Sequence, residues 1–82
     1  MTMELFQDVI LDVDVPESGL DAGDIGTVVE RHVVAGKEDG YSVEFFDMTG
    51  KTVAVIVVPA SRLRIPTHHD RPCSRTLMAA GR

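Results

Sequence analysis

The residues with the most chemical potential sit near the end of the sequence: His68, His69 and Cys73 offer two imidazoles and a thiol within six positions. Such side chains can hold zinc or activate a nucleophile. A structural zinc site draws four ligands from two separated pairs, whereas this chain has one cysteine and one further histidine, His32, remote in sequence. A nucleophile here would also sit on a stretch without apolar periodicity, lacking the fixed geometry that catalysis needs. A small metal protein or enzyme using the tail His and Cys residues is therefore only an alternative reading. No catalytic, cofactor or metal site is expected. The carboxylates Asp12, Asp14, Glu17, Asp21 and Asp24 suggest calcium, but their spacing is not that of a twelve-residue calcium loop. The run Gly19-Leu20-Asp21-Ala22-Gly23-Asp24-Ile25-Gly26 has phosphate-loop glycines, yet it is acidic, lacks a lysine after the last glycine and enters a strand.

Charge gives these acids a different meaning. Residues 1 to 67 carry 12 Asp and Glu against 5 Lys and Arg, a net of −7, and from Glu4 to Asp24 there are seven acids and no base. A phosphate backbone would be repelled, so nucleic-acid binding by the core is not expected. Residues 68 to 82 carry three arginines against Asp70, a net of +2. The expected contact site is Asp12, Asp14, Glu17 and Asp21, receiving another protein that is basic. There is no apolar run near the ~20 residues of a membrane span. The start Met1-Thr2-Met3-Glu4 lacks a basic signal region. A single cysteine fits a reducing compartment, and a cytoplasmic location is the expectation.

These residues need a scaffold, and the valine-rich composition favours strands. At 82 residues the chain has room for one core. In the segment from Phe6 to Val15, Val9, Leu11, Val13 and Val15 alternate with Asp8, Asp12 and Asp14, which reads as strand one; Ile10 breaks the polar side, and Leu5-Phe6 is expected over an end of the barrel. After a loop from Pro16 to about Gly23, Asp24 to Val34 reads as a second strand, with Gly26 marking a bulge, a bend or a close backbone approach. Residues 35 to 40 form a hairpin connection. Tyr41 to Asp47 is strand three with Tyr41, Val43 and Phe45 facing the core, and Asp47-Met48-Thr49-Gly50 is a tight turn. In strand four, Lys51 to Val58, the run Val53 to Val58 is apolar on both faces, so one face meets something besides the interior. A helical turn at Ala60-Ser61-Arg62 leads to a last strand at Leu63-Arg64-Ile65. The fold class is all-β: a small five-stranded SH3-like barrel over residues 1–66, with a short irregular C-terminal tail over 67–82 that is flexible or ordered by a partner.

The series Leu20-x-x-Gly23-Asp24-x-Gly26-Thr27-Val28-Val29, Tyr41-x-Val43-Glu44-Phe45, Asp47-x-x-Gly50 and Pro59-Ala60-x-x-Leu63 resembles a family of short bacterial proteins known as a domain of unknown function, over about Leu5 to Ile65. The Gly-Asp-x-Gly-x-Val element is similar, more distantly, to the E-type component of photosystem I and the variable chain of ferredoxin–thioredoxin reductase. The resemblance implies an SH3-like barrel that docks beside a larger protein without catalytic groups of its own. It also implies an antitoxin or immunity-like role toward a small toxin encoded nearby. The expected function is a non-catalytic protein-binding module; the alternative from strand four is a homo-oligomeric structural protein whose second apolar face meets another copy.

Overall fold

Period-two alternation decides which side chains face inward. Val9 and Leu11 of β1 (Asp8–Leu11), Val28 of β2 (Ile25–His32), Tyr41, Val43 and Phe45 of β3 (Gly40–Phe46), Val58 of β4 (Thr52–Pro59) and Leu63 of β5 (Leu63–Arg64) form one buried cluster with Met3 and Leu20. The structure, a computed structural model, describes residues 3–72, 74 and 76. Its strands form one antiparallel sheet in the order β4-β3-β2-β1-β5, curled into a half-barrel of the SH3-like type. Two short 3-10 turns, Pro16–Ser18 and Ala60–Arg62, are the helical elements among the described residues. None of the described helices is long and apolar enough to cross a membrane.

β1 is shorter than the alternation predicts. At Leu11 the chain leaves the β2 ladder: Leu11 donates to the Asp24 carbonyl (2.9 Å), and Asp12 donates to the Arg62 carbonyl (2.9 Å) on the other side. Val13 and Val15 nevertheless stay partly buried against the core, and Val15 pairs with Leu20 in an isolated antiparallel bridge instead of extending β1. β2 also ends early, at His32, and carries a bulge between Val28 and Glu30. The bulge turns Glu30 and His32 outward, where the His32 ring lies 2.8 Å from the Ser42 hydroxyl.

Gly26 has the role its place in a strand suggested. It is buried, and a Cβ added there would lie 2.5 Å from Val43 Cγ1 and 3.0 Å from the Glu44 carbonyl oxygen. Gly26 is paired with Phe45 in the β2–β3 ladder, and its missing side chain leaves the space that the Val43 and Phe45 side chains of the neighbouring strand occupy. The turn after β3 also follows its residues. The Asp47 carboxylate accepts from the Thr49 N–H (2.8 Å), the Thr49 hydroxyl (2.6 Å) and the Lys51 N–H (3.0 Å), and Gly50 takes φ +86°. The Thr49 hydroxyl, followed by the Lys51 N–H, holds the Asp47 carboxyl below its ordinary pKa.

The expectation for Leu5 and Phe6 is overturned. Both are exposed, Phe6 at φ +64°, and the plug at this end of the barrel is Met3. Its N–H donates to the buried Tyr41 hydroxyl (3.0 Å), so the apolar side chain and its backbone are satisfied together. At the other terminus the chain past Pro66 is irregular through its described residues but tied to β5. Both oxygens of Asp70 accept from the Arg64 guanidinium (2.9 and 2.8 Å), and Asp70 also accepts from the Thr67 N–H (2.7 Å).

Candidate docking surface

The four carboxylates singled out from the sequence all lie on the β1–β2 connection, residues 12–24, but they are not equivalent. Asp14 accepts from the Ala22 N–H (2.9 Å) and so pins the connection across its base, below the Val15–Leu20 bridge. Asp12 is exposed, 3.9 Å from Arg64 Nε, at the outer limit of an ion pair. Glu17 is exposed at the first turn of the 3-10 segment. Asp21 is exposed and donates its N–H to the Asp24 carboxylate (2.9 Å). Asp14 is thus a framework residue, while Asp12 and Glu17 present carboxylates to solvent and Asp21 is exposed but bonded within the loop.

Of the tail's candidate ligands, the structure describes His68 and His69. The rings of His68 and His69 lie tilted at 40° with centroids 3.9 Å apart, and His32 is engaged with Ser42. Cys73 lies outside the described residues. Among the described residues no group of three or more His, Cys, Asp or Glu side chains is placed to share a metal ion.

Apolar exposure is a stronger local feature. On the outer face of the sheet Ile25, Phe46 and Val53 remain 45%, 44% and 40% exposed, and Met48 at the tip of the β3–β4 turn is 93% exposed. They line an open groove of about 460 Å³ between the end of the β1–β2 connection, the β3–β4 turn and Pro72. Two carboxylates, Asp24 and Asp47, stand among its lining residues, and among the described residues no Lys or Arg does. Asp21 adjoins the lining residue Leu20, which connects the acidic loop with the apolar groove. The period of β3 already placed Phe46 outward. Met48 carried a weaker signal: it is the apolar member of an otherwise polar turn, at a position where the turn itself demands nothing apolar.

A second feature is β4 itself. Its inward residues Ala54, Ile56 and Val58 pack on the core, while Val53, Val55 and Val57 stay exposed on the outer face, Val55 and Val57 at 55% and 65%. β4 is the terminal strand of the sheet, with β3 as its one paired neighbour among the described residues. The expectation of a two-sided apolar strand is thereby met in its geometry.

Residues 5–65 match the family described as Domain of unknown function (DUF4926). The chain belongs to that family. No curated protein and no solved structure shows a match to it. The DUF4926 region runs from the turn before β1 to the residue after β5 and includes Ile25, Phe46, Met48 and Val53, whereas Pro72 of the groove lies outside it. Membership agrees with the barrel and names no activity, since one fold hosts many functions.

Proposed function

We propose that this DUF4926 chain is a non-catalytic protein-binding module whose partner inserts an apolar anchor into the groove at Ile25, Phe46, Met48 and Val53 and sets basic residues against the surrounding acids. The observation that carries this reading is the groove: exposed apolar side chains backed by the carboxylates of Asp24 and Asp47. Apolar anchors supply binding energy at the centre of an interface, and complementary charge supplies approach rate and selectivity at its rim. Asp12, Glu17 and Asp21 belong to that rim in this reading, and Asp14 holds the loop that carries them. The partner class is a basic protein, and the toxin-like protein implied by the sequence resemblance is the first candidate of that class.

The test compares the affinity-tagged wild type with Met48→Asp and with the pair Glu17→Lys and Asp21→Lys, each used to capture proteins from the host. A stoichiometric basic protein retained by the wild type, lost with Met48→Asp and weakened by the charge reversals in a salt-dependent way is the expected result. A partner retained equally by all three proteins overturns the reading.

A further inference from the structure

Part of the wall of the groove at Ile25, Phe46, Met48 and Val53 is built by the chain beyond the barrel. Pro72 and Ser74 line it, although the sheet ends at Arg64. The tie to β5 directs the chain there: both Asp70 oxygens accept from Arg64 (2.9 and 2.8 Å), and Pro72 follows two residues later. Pro72, Ser74 and Thr76 are themselves exposed, so they border the groove without filling it.

The sequence after Ser74 matches the groove in chemistry. Between Ile65 and Leu77 there is no Val, Ile, Leu, Met, Phe or Tyr, and then come four consecutive apolar residues, Leu77-Met78-Ala79-Ala80. Four residues are too few for a helix that is stable alone, so any order they take comes from a surface they pack on. Leu77 stands three residues past Ser74, a reach of about 10 Å when extended, which brings the groove of the same chain within range. Charge agrees with this placement. Residues 71–82 carry three arginines and no acid, whereas the ionisable lining residues of the groove, among those described, are Asp24 and Asp47. The three turn bonds to the Asp47 carboxylate all use Oδ1, so a guanidinium can take Oδ2 without breaking the turn.

We infer that the segment Leu77 to Ala80 occupies the groove of its own chain, with Met78 among Ile25, Phe46, Met48 and Val53 and with Arg75 set toward Asp24 and Asp47. A thioether fills irregular apolar gaps and makes favourable contact with an aromatic ring, here Phe46. A short tether holds the segment at an effective concentration on the order of millimolar, which favours it over the same segment of a second copy in more dilute protein. The inference rests on the reading that the groove accepts an apolar anchor with basic flanks, and adds that the chain carries such an anchor itself. A partner protein must then displace residues 77–80, and its apparent affinity is reduced by the fraction of chains whose groove is open.

Methionine methyl NMR on the full chain tests it, with four methyl signals to assign: Met1, Met3, Met48 and Met78. The Met78 methyl is expected to show nuclear Overhauser contacts to the Phe46 ring and the Val53 methyls, unchanged between about 50 µM and about 1 mM protein. Met78→Asp should shift the Met48 methyl signal and leave the circular dichroism of the barrel as it was. Met48→Asp should abolish the Met78 contacts, and Arg75→Glu or added salt should weaken them. A Met78 methyl without contact to the groove, a Met48 signal indifferent to Met78→Asp, contacts undiminished by Arg75→Glu, or contacts that fade on dilution, as a second copy's segment would give, overturns the inference. No second protein is present, so these results stand apart from the capture experiment. A partner retained equally by Met48→Asp refutes the groove as its docking site even where the Met78 contacts are intact, and absent Met78 contacts leave partner capture to be read on its own.

Discussion

Replacing Gly26 with alanine should destabilise the barrel through a steric clash, and the amount follows from three distances. The new Cβ would lie 2.5 Å from Val43 Cγ1, 2.9 Å from Phe45 Cε1 and 3.0 Å from the Glu44 carbonyl oxygen. Carbon atoms are comfortable at about 3.5 to 4.0 Å, so the Val43 contact is short by roughly 1 Å. Val43 and Phe45 are fully buried and the Glu44 carbonyl is part of the β3 backbone, which leaves little room to yield. Overpacking typically costs about 1 to 3 kcal/mol, and three simultaneous contacts put this case near the upper end. The stiffer unfolded chain returns about 0.4 to 1 kcal/mol. A net loss of about 2 kcal/mol lowers the melting temperature of a domain this size by roughly 8 to 16 °C. Thermal and urea melts followed by circular dichroism read this directly. Gly50→Ala is the control for a different cause: nothing lies within 4 Å of its added Cβ, and its φ of +86° costs about 1 kcal/mol through the backbone alone. Val43→Ala removes the nearest clashing atom, so it should suppress part of the Gly26→Ala effect, with a coupling of about 1 kcal/mol in the double-mutant cycle. A Gly26→Ala protein melting within about 2 °C of the wild type, or a cycle that is simply additive, refutes the close-approach argument.

Two further outcomes are expected. Tyr41→Phe leaves the buried Met3 N–H without its acceptor and should cost about 1 to 2 kcal/mol, seen as a lower urea midpoint at unchanged slope; an unchanged midpoint would show that this N–H finds another acceptor. The Arg64 guanidinium, followed by the Thr67 N–H, holds the Asp70 carboxyl well below the usual carboxylate range. A depressed carboxyl contributes above its unfolded value of about 4 and loses that contribution as pH falls through the lowered value, so the Thr67 amide should stay protected at pH 4 and open only in stronger acid. Hydrogen exchange followed by NMR checks this, with Asp70→Asn opening the segment at neutral pH; protection that fades with a midpoint near 4 would contradict the pairing.

The strands were legible because valine alternation, glycine placement and the Asp47 turn each have a local cause written in neighbouring residues. Tyr41, Val43 and Phe45 sit in the core for that reason. The early end of β1 was not legible, since it depends on Asp12 bonding to the Arg62 carbonyl, a contact across fifty residues of chain. Met3 was missed because its burial depends on a hydroxyl thirty-eight positions away. At the candidate site, sequence located the acidic loop but not the division of labour within it: Asp14 has the Ala22 N–H in reach, while Asp12 lies toward Arg64. The groove was half visible, through Phe46 and the two-sided β4. Met48 and Ile25 join it only when the β3–β4 turn and the end of the β1–β2 connection are brought together by the curl of the sheet.

The order of the strands also bears on how the chain finds its fold. β2, β3 and β4 are joined by short connections into a meander, whereas β1 and β5 meet through Ile10 and Arg64, near opposite ends of the DUF4926 region. Closing that long loop costs chain entropy before any contact rewards it. Hairpin formation therefore precedes docking of the β1–β5 seam along the folding route. The same seam is then the first part of the native sheet to open, so the barrel parts between its sequence-distant strands while the meander carrying Phe46, Val53 and the rest of β4 is still intact.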